Sequence, residues 1–181
     1  MNIPNMISMF RLLLVPVFIF AFNYGMERGT VLYPILVFIL SGLSDILDGY
    51  IARKYNMMTD LGAALDPLAD KLMLITALIC FTYSKHIPIW IVLIVSLKEI
   101  LMIIGGFISY REGIVTKANV FGKVATMLFH ISIVTFLFSD KLAYIFLVVS
   151  IIISVIAFFN YLNLTLEKHR EKKAAKKLQD S

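Results

Sequence analysis

The sequence predicts an all-α, polytopic membrane protein with six transmembrane helices, and three observations carry that expectation. Of its 181 residues, 60% are hydrophobic and only 16% are charged, and the mean hydropathy is +0.86, outside the balance of soluble globular domains. The apolar residues fall into six runs, each close to the ~20 residues that a bilayer-spanning helix needs. Short polar or glycine-containing breaks separate the runs. Six spans use most of the chain, so the expected division is a six-helix transmembrane domain over 1–165 and a basic tail over 166–181.

The first run, Met6 to Phe22, is read as a retained span, because no small-residue cleavage site follows it between Ala21 and Arg28. The others are Thr30 to Leu47, Leu61 to Phe81, Ile87 to Ser109, Val120 to Phe138 and Leu142 to Leu162. Breaks stand at Gly25 to Gly29, Lys85 to Pro88 and Ser139 to Lys141. No internal repeat is visible. Cys80 is the single cysteine, which excludes a disulfide framework and a cysteine-rich metal site.

An even number of spans places both termini on one side of the membrane, and the basic residues indicate which. One side holds Arg11, Arg53, Lys54, Arg111, Lys117, Lys123 and six residues of the tail, against Arg28, Lys85 and Lys141 on the other. The richer side is expected to be cytoplasmic, at the cell membrane. Lys71 and Lys98 fall within spans and do not enter that comparison. Much of the net charge of +5 lies in Lys168, Arg170, Lys172, Lys173, Lys176 and Lys177. Beside a membrane such a run meets anionic lipid head groups, and no nucleic-acid partner is expected.

Five of the 12 acidic residues, Asp45, Asp48, Asp60, Asp66 and Asp70, fall within 26 positions at the junction of the second and third spans. A carboxylate at membrane depth is unfavourable by several kcal/mol unless paired, protonated or liganded, so the cluster implies a counter-charge. Asp45, Asp48 and Ala52 lie along one helical stripe, and Gly62, Asp66 and Asp70 repeat it at four-residue intervals. Two antiparallel helices joined by a short loop can turn four of these carboxylates toward one point. All-oxygen donors with no His or Cys nearby select Mg²⁺, Mn²⁺ or Ca²⁺ over zinc, as one or two ions. Gly49, Ala52 and Gly62 leave space for a large phosphorylated ligand. Pro67 frees the Ala63 carbonyl from its helical partner. The bland alternative is a structural salt-bridge network in which Arg53, Lys54 and Lys71 neutralise the acids.

The segment Asp45 to Asp70 reads D-I-L-D-G-Y-I-A-R, then eight residues, then G-A-A-L-D-P-L-A-D. It resembles the full signature of the CDP-alcohol phosphatidyltransferase family, D-x2-D-G-x2-A-R-x8-G-x3-D-x3-D, with no substituted position. The resemblance implies that family's six-helix membrane fold, a homodimer, and two metal ions, Mg²⁺ or Mn²⁺, on the pyrophosphate of CDP-diacylglycerol. It makes Asp45, Asp48 and Asp66 metal ligands, with Asp70 sharing the site as general base. Asp45, Gly49, Ala52, Arg53 and Gly62 line the CDP pocket on the same grounds, and residues 1–165 form the catalytic domain.

The signature fixes the donor better than the acceptor. The opening N-I-P-N-M-I-S-M-F-R, from Asn2 to Arg11, and D-P-L-A-D-K, from Asp66 to Lys71, are similar to bacterial phosphatidylglycerophosphate synthases, as is the stretch from Lys98 and Glu99 to Gly122 and Lys123. That branch uses glycerol 3-phosphate. Lys71, Lys98, Arg111, Lys117 and Lys123 are candidates for binding the acceptor phosphate. For Lys98 the alternative is a snorkelling or glutamate-paired lysine, and for Arg111, Lys117 and Lys123 it is positive-inside topology. Sister enzymes with another acceptor, such as cardiolipin or phosphatidylinositol phosphate synthases, share the donor chemistry. A divalent-cation transporter is the competing class, disfavoured because the fixed charge of Arg53 beside a transport site would repel the ion. His86 and His130 are assigned to packing or an interface, His169 to the tail, and Trp90 and Tyr83 to the aromatic belt.

Overall fold

The computed structural model describes residues 3–55, 60–111 and 120–179. Among them the protein is six helices and no strand: α1 (Ile3–Glu27), α2 (Leu32–Lys54), α3 (Asp60–Tyr83), α4 (Ile89–Arg111), α5 (Val120–Thr135) and α6 (Asp140–Gln179). Four of them, over Asn5–Glu27, Leu32–Ala52, Ile89–Ser109 and Asp140–Arg170, are long and apolar enough to cross a membrane. The apolar character of α3 is interrupted by Asp66, Asp70 and Lys71 in its first half. Helix α5 is apolar but only 16 residues long, about 24 Å at the α-helical rise. It stops at Thr135, short of the expected Phe138. Phe136, Leu137 and Phe138 instead donate backbone bonds three residues back, to Ile133, Val134 and Thr135, which tightens the chain into the turn before α6. Helix α6 continues well past the apolar run, through the Lys-, Ala- and Glu-rich segment, to Gln179.

The distribution of side chains is that of a membrane protein. Large apolar groups such as Leu13, Phe20, Ile46, Leu93, Phe107 and Met127 are exposed, while Asn5, Ser8, Arg11, Asp48, Glu99 and Ser132 are buried. Apolar surface facing lipid carries no penalty, whereas polar groups must find partners inside the protein. Hydroxyls follow the same rule. Ser44, Ser109, Thr126 and Thr165 each donate to the carbonyl four residues back on their own helix.

The chain forms two compact units, Met1–Leu93 with Ile133–Asp140, and Ile94–Ser132 with Lys141–Ser181. In the first, α1 packs against both α2 and α3. Its core is aromatic: Phe22 meets Phe81 edge-on at 5.6 Å, Phe81 stacks on Phe136 at 4.6 Å, and Phe18 meets Phe38 edge-on at 6.3 Å. His86 lies against the rings of Phe81 and Phe136. In the second unit, Ser132 donates to the Ala143 carbonyl, and Lys98 Nζ reaches Ser154 Oγ at 2.8 Å and Glu99 Oε1 at 2.5 Å.

Two turns fix how helices follow one another in the first unit. After α1, the Thr30 amide donates to the Gly25 carbonyl and the Gly29 amide to that of Met26, with Gly29 at φ 66°. This is a Schellman closure with glycine at the left-handed position. A Cβ on Gly25 would collide with the Thr30 carbonyl oxygen. Gly25→Ala is therefore expected to destabilise the protein by about 1–2 kcal/mol despite the better helix propensity of alanine, read as a lower midpoint of thermal unfolding in detergent. The end of α3 closes in the same way, with His86 bonded to Phe81 and Lys85 to Thr82. Here the left-handed residue is Lys85, at φ 63°. Lys85→Gly removes that strain and is expected to stabilise the protein by up to about 1 kcal/mol in the same measurement.

Candidate active site

The site is built where α1, α2 and α3 meet. On α1, Asn5, Ser8 and Arg11 recur every three residues and are all buried, although most of that helix is apolar. Helix α2 runs without a break to Lys54, so Asp45, Asp48, Gly49 and Ala52 share a single helix. Helix α3 starts at Asp60 and carries Gly62, Asp66 and Asp70 in its first three turns, with Pro67 accommodated inside.

Arg11 is the centre of the arrangement. Its side chain is 1% exposed, its Nη1 lies 2.6 Å from Asp45 Oδ1 and 3.8 Å from Asp48 Oδ2, and its Nη2 donates to Asp70 Oδ1. Ser8 Oγ donates to Asp66 Oδ1 at 2.5 Å. One turn of α1 thus addresses all four carboxylates of α2 and α3. Asp48 is buried at the base of the cluster, while the side chains of Asp45 and Asp70 keep 43% and 39% of their surface open. A ligand approaching from the open side meets Asp45 and Asp70 first.

The charges are well placed but the hydrogen bonding is incomplete. Arg11 Nε and Nη1 and Asp48 Oδ2 are buried with no hydrogen-bond partner, so the close approach of Nη1 to Asp45 is a charge contact without hydrogen-bond geometry. Among the described residues, no trio of Asp, Glu, His or Cys stands at chelating distance. The carboxylates surround a guanidinium instead, which separates like charges that would otherwise repel. The donor set still suits a hard divalent cation: it is all oxygen, carried by two helices that both pack on α1, and includes a buried carboxylate oxygen without a hydrogen-bond partner.

The remaining candidates are distributed as follows. Gly49 and Ala52 are half-buried on α2, and Gly62 is buried on α3. The side chain of Arg53 lies outside the described residues, as does all of Lys117. Lys71 follows Asp70 on α3 and is half-buried. Lys98, Arg111 and Lys123 belong to the second unit, where Lys98 is held by Glu99 and Ser154, the Arg111 guanidinium lies 5.9 Å from the Phe107 ring centre and Lys123 is exposed. Sequence reasoning gave no site role to Arg11, Ser8 or Asn5. The signal was present as three polar residues at regular spacing on an apolar helix, one of them ionised.

An acidic cluster around a buried cation, carried by apolar helices, defines a polytopic membrane protein with an ionic site inside its helix bundle. Comparison with known proteins makes this specific. The family model described as CDP-alcohol phosphatidyltransferase matches residues 1–156, and the chain belongs to that family. It is 35% identical over 130 residues to a protein of Streptomyces coelicolor named cardiolipin synthase (CMP-forming), covering 70% of this chain and 60% of that protein's length. It is also 35% identical over 136 residues to the CDP-diacylglycerol–glycerol-3-phosphate 3-phosphatidyltransferase of Bacillus subtilis, covering 69% of this chain and 70% of the relative. A protein of the same name from Wigglesworthia glossinidia brevipalpis is 31% identical over 175 residues, 90% of this chain and 92% of its own.

Proposed function

We propose that the protein transfers the phosphatidyl group of CDP-diacylglycerol to sn-glycerol 3-phosphate, giving phosphatidylglycerophosphate and CMP in phospholipid biosynthesis. The observation that carries this reading is the cluster of Asp45, Asp48, Asp66 and Asp70 on α2 and α3, both packed against α1, with an oxygen of Asp48 that has no hydrogen-bond partner at its base. It is supported by the complete family signature, by the N-terminal segment and by the names of the relatives from Bacillus and Wigglesworthia. A second reading, cardiolipin synthesis with phosphatidylglycerol as acceptor, is favoured by the name of the Streptomyces relative.

In this reading Asp45, Asp48, Asp66 and Asp70 hold Mg²⁺ or Mn²⁺, as two ions. Bound there, such ions neutralise charge on the donor's diphosphate and make CMP a better leaving group. Gly49, Ala52 and Gly62 leave room for the nucleotide, and Arg53 meets phosphate charge. Asp70, on the open side of the cluster, takes the proton of the acceptor hydroxyl. The acceptor oxygen forms a bond to the phosphatidyl phosphorus, the bond from that phosphorus to the bridging diphosphate oxygen breaks, and CMP departs with that oxygen. Lys71, the residue after Asp70 on α3 and in the same unit as the aspartates, supplies a cation for the acceptor phosphate.

The same proposal places the protein in the cell membrane with both termini and the active site cytoplasmic, supported by the excess of basic residues on that side. Residues 1–165 are the catalytic domain and 166–181 a basic tail, and the chain acts as a homodimer, as the family resemblance implies. The test is CMP release from CDP-diacylglycerol with Mg²⁺ and a panel of acceptors. Glycerol 3-phosphate is expected to be the active one; activity with phosphatidylglycerol alone would move the protein to the second reading. Chelation by EDTA is expected to abolish CMP release, and Mg²⁺ or Mn²⁺ to restore it. Turnover that persists in excess EDTA would remove the ions from the mechanism.

A further inference from the structure

A buried arginine that served only to bridge helices would be expected to engage its planar fork with carboxylates through well-aligned, paired hydrogen bonds, since burial makes unsatisfied donors unfavourable. Arg11 does not. It faces Asp45, Asp48 and Asp70 at once, yet Nε and Nη1 have no hydrogen-bond partner, and neither does the facing Asp48 Oδ2. The guanidinium is held by a hydrogen bond at one corner only, from Nη2 to Asp70 Oδ1, and at its other nitrogens by charge alone. A group held in that way can be exchanged for another cation of higher charge density.

We infer that Arg11 is a tethered counter-cation: it keeps the carboxylates of α2 and α3 gathered when no divalent ion is bound, and it competes with the incoming ions for those carboxylates. Ser8 plays the matching part for Asp66 through its hydroxyl. The inference rests on the reading of the aspartates as divalent-ion ligands and extends it to α1, which carries none of the signature. Arg11 is thus a positioning residue. Without it, three carboxylates would face one another at membrane depth with that compensation removed. With it, the cluster is preformed, and each ion that binds must displace the guanidinium from some of its contacts.

The sign of the change in ion affinity separates a competing charge from a structural bridge. Loss of a structural bridge would weaken binding by loosening the site. Loss of a competitor strengthens it. The full chain in detergent, free of nucleotide, is titrated with Mn²⁺ and bound ion is read by electron paramagnetic resonance. Arg11→Gln is expected to bind Mn²⁺ about tenfold more tightly than the wild type, corresponding to the removal of one contact-distance competing charge at a partly screened site. In EDTA the same variant is expected to unfold at a lower temperature, and Mn²⁺ to recover more of that loss than it adds to the wild type. Arg11→Lys, which keeps a cation on a flexible stem, is expected to restore stability in EDTA and return the affinity toward that of the wild type. Should Arg11→Gln require Mn²⁺ throughout purification, Arg11→Lys supplies the comparison, with an affinity between wild type and tenfold tighter. Adding Asp48→Asn to either variant is expected to weaken Mn²⁺ binding, which ties the signal to this cluster.

Mn²⁺ binding by folded Arg11→Gln equal to or weaker than that of the wild type would overturn the counter-cation role while leaving the aspartates as ion ligands. Absence of Mn²⁺ binding in the wild type and in all variants would overturn the ion reading of the aspartates and this inference with it.

Discussion

Asp70→Asn is expected to lower CMP release by about 10²- to 10⁴-fold, the range over which a positioned general base contributes, while the protein still inserts and folds. Asparagine has the shape of aspartate, and its carbonyl oxygen can still accept the hydrogen bond that Arg11 Nη2 gives to Asp70. Arg11 also keeps Asp45 and Asp48 as charge partners. What the variant loses is the negative charge and the capacity to take a proton, on the side of the cluster that is open to an acceptor. Asp66→Asn is expected to be similarly inactive, because the Ser8 hydroxyl can bond either side chain but an amide is a poor ligand for a divalent cation. The measurement is CMP release with saturating Mg²⁺, beside size-exclusion profiles and circular dichroism in detergent. Full activity in either variant would contradict the assigned roles.

Much of this site was legible before any coordinates because its chemistry is local. Asp45 and Asp48 are one helical turn apart, as are Asp66 and Asp70, and the two pairs are close in sequence, so spacing alone suggested four acids near one point. The apolar runs likewise located the six helices, since lipid exposure demands the same hydrophobicity that marks them. Arg11 illustrates what could not be read. In the sequence it stands among apolar residues near one end of a span, and the positive-inside tendency accounted for it without any contact. Its partners lie 34 to 59 positions away along the chain, and only packing of α1 against α2 and α3 reveals them. The end of α3 is a second case: glycine announces a left-handed cap after α1, whereas Lys85 occupies the same conformation after α3 with no residue type to signal it. The extent of α6 is a third, because the apolar pattern that defines the span ends at Leu162 while backbone propensity carries the helix on to Gln179.

Asp48→Asn separates function from stability at the base of the cluster. Asp48 is 2% exposed, its Oδ2 has no hydrogen bond, and its contact with Arg11 is a long one at 3.8 Å. A carboxylate so placed is poorly compensated, and burying it opposes folding unless a cation arrives. Asparagine fills the same space without the charge, and Arg11 retains the closer Asp45 and Asp70. In EDTA the variant is therefore expected to be as stable as the wild type or more stable by about 1 kcal/mol, in the direction often seen when a strained functional group is replaced. Turnover is expected to fall by at least about 10²-fold, because the charge that would hold an ion against the donor's diphosphate is gone. Adding Mn²⁺ at about 100 times its dissociation constant should stabilise the wild type by roughly 2.7 kcal/mol through mass action, and the variant by much less. If Asp48 were instead a partner in a structural salt bridge, the pattern would reverse: the variant would lose several kcal/mol in EDTA, as broken buried pairs do, and the folded fraction would retain full activity. Thermal unfolding with and without Mn²⁺, run beside the CMP assay, distinguishes the two outcomes directly.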